Sequence, residues 1–217
     1  MISIITPVWN KSELTNKFLF QHWQLYRNSP GVDLVVINNG STDNTALVLG
    51  QWQEMMGKQL QVITNEENRG FGPANNQGAE IVNGDILVFL SNDVIISGDY
   101  LAPIMKIAKG ILYGAQIFSH DTGWNTFDRI IPYVAGWCVV CHRDTWREIG
   151  GWDERYVPCD YEDIDLSLTA AQNGIELKQL NLPLYHLSGQ SAQNLTGGRL
   201  VITLNNHALF KQKWGFV

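Results

Sequence analysis

The stretch Asp85-Ile86-Leu87-Val88-Phe89-Leu90-Ser91-Asn92-Asp93 passes from a polar turn through five apolar residues to a polar stop. A short, continuous run of β-branched and aromatic residues is typical of a strand that is buried on both faces. In an open parallel α/β sheet, ligands bind at the carboxyl ends of the strands. A carboxylate at position 93 is therefore suited to hold a divalent cation on a phosphorylated ligand. Because Asn92 and Asp93 also favour turns, an ordinary turn is the competing interpretation.

Apolar runs that end in polar residues recur through the first half of the chain. Strands are predicted at 2–8, 34–37, 61–64 and 86–90, and helices at about 12–26, 46–56 and 73–82. This alternation predicts a parallel sheet with right-handed crossovers. A Walker A loop is absent, and the segment 70–75 only half matches the dinucleotide-binding fingerprint, so the pattern gives little support for NAD binding.

Composition limits the classes of function. The chain has 217 residues, is 45% hydrophobic and 17% charged, and carries a net charge of -6, with 15 Lys plus Arg against 21 Asp plus Glu. These values suit one large domain or two small ones, and they argue against nucleic-acid binding by a broad basic face. A phosphate ligand would need a local device instead, such as a metal ion or a helix N-terminus.

Three features bear on the compartment. No apolar run approaches the length of a membrane span, and the first residues lack the basic region of a signal peptide. The three cysteines, Cys138, Cys141 and Cys159, are an odd number and form no disulfide framework. The spacing of Cys138 and Cys141 suits a redox pair or half a zinc site, but their apolar surroundings favour a buried strand. We therefore expect core cysteines, a reducing, cytoplasmic location and no integral membrane segment.

Motifs along nearly the whole chain resemble those of family 2 glycosyltransferases with the GT-A fold. The opening motifs are Ser3-Ile4-Ile5-Thr6-Pro7-Val8-Trp9-Asn10 and Asn38-Asn39-Gly40-Ser41-Thr42-Asp43. Later motifs are similar to the rhamnosyltransferase-like branch, namely Asn65-x-x-Asn68-x-Gly70-Phe71-Gly72, Leu90-Ser91-Asn92-Asp93, Gly150-Gly151-Trp152-Asp153, Glu162-Asp163-Ile164-Asp165, Tyr185-His186 and Gln190-Ser191. The resemblance implies a Rossmann-like α/β half with a mostly parallel central sheet flanked by helices, plus an acceptor-side half. It also implies a single domain over 1–217, with a nucleotide-sugar-binding half at 1–95 and an acceptor-binding and catalytic half at 96–217.

The same resemblance implies an inverting hexosyltransferase that moves a sugar from a nucleotide-diphosphate sugar to a hydroxyl of a glycan or glycoconjugate. A UDP-sugar is the expected donor, and a dTDP-sugar is the alternative. Departure of the diphosphate needs charge neutralisation, which Mn2+ or Mg2+ supplies. The resemblance assigns that ion to Asp93 and His186, although His186 alone would also suit a hydrogen-bonded core histidine. Eight residues are assigned to the nucleotide sugar: Thr6, Pro7, Asn38, Arg69, Asn75, Asn76, Ser91 and Asn92.

Two positions depart from the family pattern. Asn38 stands where the family usually has an aspartate that contacts the nucleobase, and Ser91 stands at the first position of the metal motif. Asparagine gains a donor and loses the charge, so the nucleobase preference is open. The departures motivate a nucleotide-sugar or glycan-binding protein that has lost catalysis as an alternative. A nucleotidyltransferase is a third hypothesis. That function would require a Gly-rich basic loop after the first strand, where this chain has only Lys11.

Four carboxylates fall within six residues at 160–165, where a helix is predicted to begin. Acidic residues in a first turn are also explained by ordinary capping. An attacking hydroxyl must lose a proton, and a carboxylate can take it as general base. The resemblance makes Asp163 that base and Glu162 the runner-up, and the helix dipole is expected to keep the pKa of Asp163 low.

Two further regions carry weaker signals. Trp124, Trp137 and Trp152 suit either platforms for sugar rings or core positions. Residues 198–217 show helical spacing of apolar residues, so we expect a helix that packs back on the domain, with a membrane-surface helix as the alternative.

Overall fold

The computed structural model describes residues 1–120, 131–187 and 198–215. The strands are β1 (Ile2–Val8), β2 (Val32–Asn39), β3 (Leu60–Asn65), β4 (Ile86–Leu90), β5 (Val94–Ile96), β6 (Ile111–Gly114), β7 (Ile117–His120), β8 (Ile131–Val134), β9 (Cys138–His142), β10 (Glu176–Gln179) and β11 (Leu184–His186). The helices are α1 (Ser12–Tyr26), α2 (Thr45–Met56), α3 (Phe71–Ile81), α4 (Leu101–Ile104), α5 (Arg143–Ile149), α6 (Glu162–Gln172) and α7 (Arg199–Trp214).

Seven strands form one sheet in the order β10-β6-β9-β4-β1-β2-β3. The strands β3, β2, β1 and β4 are parallel, and β10 is parallel to β6. The strand β9 runs antiparallel between β4 and β6. Two antiparallel pairs, β5 with β11 and β7 with β8, lie outside this sheet. The predicted α/β architecture with a mostly parallel central sheet is therefore confirmed.

The strand order reverses beside β1. The chain moves from β1 outward to β2 and β3, and it then crosses back to place β4 on the other side of β1. The loops that follow the adjacent strands β1 and β4 therefore lead away from each other and leave a crevice between them. Ligands bind in such crevices of open parallel sheets. The residues after these two strands frame the candidate site.

The predicted elements of the first half are confirmed with shifted ends. The strand β2 extends the predicted 34–37 at both ends, and α3 begins at Phe71, two residues before the predicted start. Gly70 precedes α3 with φ 96, a left-handed value that favours glycine. Gly78 in α3 faces Ile5 and Ile37, whose side chains leave no room for a Cβ. These glycines therefore serve the start and the close packing of α3, and not a dinucleotide loop.

Apolar side chains cover both faces of the sheet. Val88 belongs to the core on one face, and Phe89 belongs to the core on the other. Cys138 and Cys141 of β9 are also divided between these two cores and are fully buried. Burial raises the pKa of the Cys138 thiol to about 12. The expectation of core cysteines is confirmed for this pair.

The last helix, α7, packs against the region around α6. Lys213 Nζ and Trp214 Nε1 donate to the Asp165 carboxylate at 2.7 and 2.8 Å. Phe210 is fully buried beside Ile164. The predicted packing of the tail helix on the rest of the chain is confirmed. In the part of the chain that the structure describes, no helix combines the length and hydropathy that crossing a bilayer requires.

Candidate active site

A cavity of about 880 Å³ opens at the crevice beside β1 and β4. Its walls come from the loops after β1 and β4, the end of β11, the segment before β9, and the first turns of α6 and α7. The lining residues include Pro7, Trp9, Asn39, Asn68, Ser91, Asn92, Asp93, Gly136, Trp137, Tyr161, Glu162, Asp163, His186, Arg199, Thr203 and His207. Polar groups from distant parts of the sequence thus converge on one space.

Asp93 and His186 meet at one wall of this cavity. Asp93 lies between β4 and β5, and His186 is the last residue of β11. Because β11 pairs antiparallel with β5 and sets His186 opposite Val94, the pairing brings the imidazole beside the carboxylate. His186 Nε2 lies 3.2 Å from Asp93 Oδ1. Two small strands therefore bring together the two residues that were predicted as metal ligands.

The ring of His186 is held in place by Trp137. The two rings stack at 5.1 Å between centroids with 9° between their planes. The His186 side chain is 22% exposed and lines the cavity, so the alternative of a core histidine does not describe it. Stacking fixes the plane of the imidazole ring.

One carboxylate oxygen and one imidazole nitrogen are suitable ligands for Mn2+ or Mg2+. Among the described residues, no cluster of three or more His, Cys, Asp or Glu side chains surrounds a common ion position. Two protein donors leave most coordination positions of such an ion to phosphate oxygens and water. The donor set therefore fits an ion that is bound together with a diphosphate, and not one that the protein holds alone.

Asp163 occupies the first turn of α6. Its Oδ2 accepts a hydrogen bond from Gly136 N at 3.0 Å, and its Oδ1 accepts one from Ile164 N at 2.9 Å. Burial nevertheless raises the pKa of Asp163 to about 6. The expectation that the helix start keeps this pKa low is wrong, because the loss of water around the carboxylate outweighs its two backbone donors.

Glu162 is buried beside it, with 7% exposure. Within the described residues its Oε2 has no hydrogen-bond partner. Burial, and after it the negative charge of Asp163, raise the pKa of Glu162 well above its usual range. Neighbouring carboxylates of this kind titrate as a pair. Asp163 has two backbone donors to its carboxylate, so it is the member of the pair that ionises more readily.

The eight residues predicted to bind the nucleotide sugar fall into two groups. Pro7, Ser91 and Asn92 line the cavity, and Asn92 Nδ2 also donates to Thr15 Oγ1 at 2.9 Å. The other five lie off the cavity wall: Thr6, Asn38, Arg69, Asn75 and Asn76. The structure therefore brings only part of the predicted nucleotide set to the cavity.

Several of these five residues support the surrounding backbone. Thr6 and Asn75 are fully buried. Asn76 Nδ2 donates to Trp152 O at 2.9 Å, and Asn76 Oδ1 accepts from Trp152 N at 3.0 Å. Asn38 is 1% exposed, and its Oδ1 accepts from the backbone N of the residue three positions later at 3.3 Å. Arg69 is exposed. The contacts of Asn38 and Asn76 thus support backbone near the cavity, and none of the five residues lines it.

Sequence reasoning misses Asn39, the neighbour of Asn38, which does line the cavity. Its side-chain amide makes four hydrogen bonds, to Asn68 Oδ1, Gly70 O, Asn65 Nδ2 and Arg69 N. These bonds hold the loop after β3 against the end of β2. Successive side chains of a strand point to opposite faces, so only one of the two asparagines is able to face the cavity. Nothing in the local sequence says which one.

The tryptophans divide between the core and the cavity. Trp152 is 2% exposed and packs edge-on against Phe71 and Phe89, so it is a core residue. Trp137 lines the cavity. Trp124, like the motif residues Gln190 and Ser191, lies outside the described residues.

The sequence profile of Glycosyl transferase family 2 matches residues 3–158, well over half of the chain. The chain belongs to this family. Glycosyltransferase GlyA of Streptococcus pneumoniae is 32% identical over 117 residues, which are 54% of this chain and 16% of GlyA. The uncharacterized glycosyltransferase YaiP of Escherichia coli is 27% identical over 207 residues, covering 83% of this chain and 50% of YaiP. This family 2 chain thus spans half or less of these two relatives.

Solved structures share its fold at low sequence identity. The mannosyltransferase PcManGT from Pyrobaculum calidifontis, solved with GDP-Man and Mn2+, has a TM-score of 0.66 at 19% identity and covers 82% of this chain and 54% of its own. GalNAc-T7, solved with UDP, GalNAc and Mn2+, has a TM-score of 0.72 at 15% identity. The match covers 98% of this chain and 47% of the GalNAc-T7 chain. The family 2 chain therefore has the GT-A fold. The rhamnosyltransferase-like branch stays a prediction.

Proposed function

We propose that this family 2 chain transfers a sugar from a nucleotide-diphosphate sugar to a hydroxyl of a glycan or glycoconjugate, with inversion at the anomeric carbon. The observation that carries the proposal is the convergence of the Asp93–His186 pair and Asp163 on one cavity at the strand reversal. We take a UDP-sugar as the donor, with a dTDP-sugar as the alternative. GDP-Man with Mn2+ in PcManGT and UDP with Mn2+ in GalNAc-T7 support the class of ligand and leave its base open.

The donor side is the wall that carries Asp93 and His186. In the proposal these two residues hold Mn2+ or Mg2+ on the diphosphate. When bound, the ion neutralises the negative charge that grows on the leaving group. Trp137 orients the imidazole through its stacked ring. Ser91 and Asn92 line the same wall and would contact the diphosphate or the sugar.

The nucleoside side is formed by the ends of β1 and β2. Pro7 and Asn39 line the cavity there, with Asn68 from the loop after β3. The amide of Asn39 is oriented by its four hydrogen bonds. Because these bonds use both N–H groups and the oxygen of the amide, and Asn39 is 3% exposed, Asn39 shapes the nucleoside side by holding the loop after β3, and Asn38 supports the turn after β2.

Asp163 is the proposed general base. The acceptor oxygen forms a bond to the anomeric carbon while the bond from that carbon to the phosphate oxygen breaks, and Asp163 takes the hydroxyl proton. A single displacement of this kind inverts the anomeric centre. A base is most effective when its pKa lies close to the working pH, and burial brings the pKa of Asp163 to about 6. Glu162, the runner-up, is more deeply buried than Asp163 and its pKa is raised well above its ordinary value, so it is the weaker candidate.

Donor hydrolysis tests the proposal without knowledge of the acceptor. The protein is incubated with Mn2+ and a panel of UDP-, dTDP- and GDP-sugars, and release of the nucleotide is measured. We expect metal-dependent release from UDP-sugars above that from the other nucleotides. The alternative of a binding protein that has lost catalysis is motivated by Ser91 in the metal motif. It predicts calorimetric binding of a nucleotide sugar without any turnover. If the protein neither binds nor turns over any donor, both the transferase and the binding protein are refuted.

A further inference from the structure

The backbone immediately before α6 adopts an uncommon conformation. Asp160 and Tyr161 are consecutive non-glycine residues with φ 76 and φ 77. L-residues rarely adopt this left-handed region, and a bulky side chain such as that of tyrosine adopts it least readily. Such a turn persists only where the surroundings hold it, and it leads directly into Glu162 and Asp163.

The surroundings that hold this turn come from α7. Asn206 Nδ2 donates to Cys159 O at 2.7 Å and to Asp160 O at 3.0 Å. Asn206 is only 2% exposed, so these two bonds are shielded from water. One buried amide therefore satisfies two successive carbonyl groups of the turn.

The side chain of Asp160 is held by the same helix. Its Oδ2 accepts from Thr203 Oγ1 at 2.6 Å, and its Oδ1 accepts from Arg199 at 2.9 Å. Further along, Trp214 Nε1 binds Asp165 in α6. The helix α7 thus contacts the chain on both sides of the acidic pair, Glu162 and Asp163. It binds the turn before the pair and the part of α6 after the pair.

We propose that Asn206 is a positioning residue for Asp163 and Glu162, and that it acts by holding the left-handed turn at 159–161 from α7. The catalytic role of this positioning rests on the proposed function, whereas the holding of the turn by Asn206 does not. The residues involved lie beyond the family match, which ends at residue 158. The family assignment therefore carries no information about this arrangement.

The proposal has a consequence for the ionisation of the acidic pair. The titratable groups that face Asp163 are Glu162, Asp160, Cys159 and Tyr133, together with the cation of Arg199, which is paired with Asp160. Burial is the largest cause of the raised pKa of Asp163. If the turn relaxes, water reaches the pair and this pKa falls toward the ordinary aspartate value.

The deciding experiment is a carboxyl 13C NMR titration of the whole chain. Asn206→Ala removes the amide that holds the turn, and Asn205→Ala, at the exposed neighbouring position of α7, is the matched control. We expect the pKa of Asp163 to fall from about 6 in the unaltered protein toward about 4 in Asn206→Ala. We expect no change in Asn205→Ala. An unchanged titration in a folded Asn206→Ala would overturn the proposal.

A milder variant protects the test against misfolding. Thr203→Val removes only the hydroxyl that donates to Asp160, and we expect it to lower the pKa of Asp163 in the same direction by a smaller amount. If Asn206→Ala does not fold, an unchanged titration in Thr203→Val refutes the proposal.

Donor hydrolysis separates this inference from the proposed function. If the unaltered protein hydrolyses a UDP-sugar, we expect Asn206→Ala to lose about tenfold or more in kcat while calorimetric affinity for UDP with Mn2+ stays unchanged. Equal kcat in the two proteins would overturn the positioning role. If the unaltered protein hydrolyses no donor, the proposed function fails, and the NMR titration alone decides whether α7 holds the turn.

Discussion

Two parts of the cavity carry carboxylates, and the surroundings of the carboxylates differ between the two parts. At the donor edge, defined as Asp93 with His186, an imidazole nitrogen lies 3.2 Å from the carboxylate. At the acidic pair, defined as Glu162 with Asp163, two acidic residues are consecutive in the chain; Glu162 is buried and Asp163 is partly buried. Within the described parts of the chain, backbone N–H groups and no basic side chain bind the oxygens of Asp163.

The two parts are suited to different chemistry. A carboxylate oxygen and an imidazole nitrogen on a shared wall are two electron-pair donors for a cation. A buried carboxyl pair holds a proton up to a higher pH than ordinary carboxyls do, and that property suits proton transfer and not metal binding. The comparison predicts that substitutions in the two parts affect different steps, with donor binding on one side and proton transfer on the other.

The largest effect is expected from Asp163→Asn. The amide keeps the shape of the side chain but cannot take the acceptor proton, so transfer or hydrolysis should fall by about a hundredfold to ten-thousandfold. The affinity for UDP with Mn2+, measured by calorimetric titration, should change little because the donor edge is untouched. Loss of nucleotide binding as severe as that in Asp93→Ala would contradict this and would assign the acidic pair to the metal site.

Glu162→Gln is the matched control for that substitution. Because burial raises the pKa of Glu162 well above its ordinary value, a neutral amide resembles the protonated form that burial favours. We expect a much smaller loss of rate than in Asp163→Asn. A loss of equal size would exchange the roles of the two residues.

The second effect concerns the donor edge. Asp93→Ala and His186→Ala each remove one donor of the ion, and we expect each to weaken binding of UDP with Mn2+ by about tenfold to a hundredfold. Binding of UDP in the presence of EDTA should be similar in all three proteins. Unchanged metal-dependent binding in Asp93→Ala would refute the role of this edge.

The sequence predicts the donor edge better than the acidic pair, and the reason is physical. Asp93 follows an uninterrupted apolar run, and strand ends on a parallel sheet meet at one edge. His186 ends a second short strand, and one register of pairing between β5 and β11 suffices to bring it beside Asp93. The local pattern of burial and polarity therefore indicates Asp93, whereas His186 is assigned through the family resemblance.

The acidic pair depends on parts of the chain that are distant in sequence. The pKa of Asp163 is raised by burial, and the residue that packs against its side chain, Gly136, lies far from the acidic motif in sequence. The dipole at the first turn of α6 favours a low pKa, and burial outweighs it. The nucleotide contact of Asn38 stays a prediction, because the local sequence does not show which face of β2 meets the cavity.

The pH dependence gives the third prediction. Asp163 acts as a base only when it is ionised, and burial raises its pKa to about 6. The rate should therefore rise with pH and level off above pH 6, with about a tenfold loss for each unit below it. The affinity for UDP with Mn2+, measured over the same range, separates protonation of the donor edge from that of Asp163. A rate that stays constant from pH 7 to pH 5 while binding is retained would contradict the assignment.

The smallest effect is expected from the two asparagines at the end of β2, which form a matched pair. Both are buried, but Asn39 lines the cavity and makes four hydrogen bonds to the end of β3 and the loop after it, whereas Asn38 accepts one bond from the turn that follows it. Asn39→Ala should weaken UDP binding by about tenfold, and Asn38→Ala should weaken it by only about twofold, since losing one hydrogen bond in a neighbouring turn has little effect on the cavity wall. Calorimetric titration of UDP with Mn2+ measures both, with the melting temperature of each variant as the control for folding. If Asn38→Ala weakens binding as much as Asn39→Ala, the nucleobase contact that the sequence predicts for Asn38 is supported. The end of β2 would then have to turn its other face toward the nucleotide when the ligand binds.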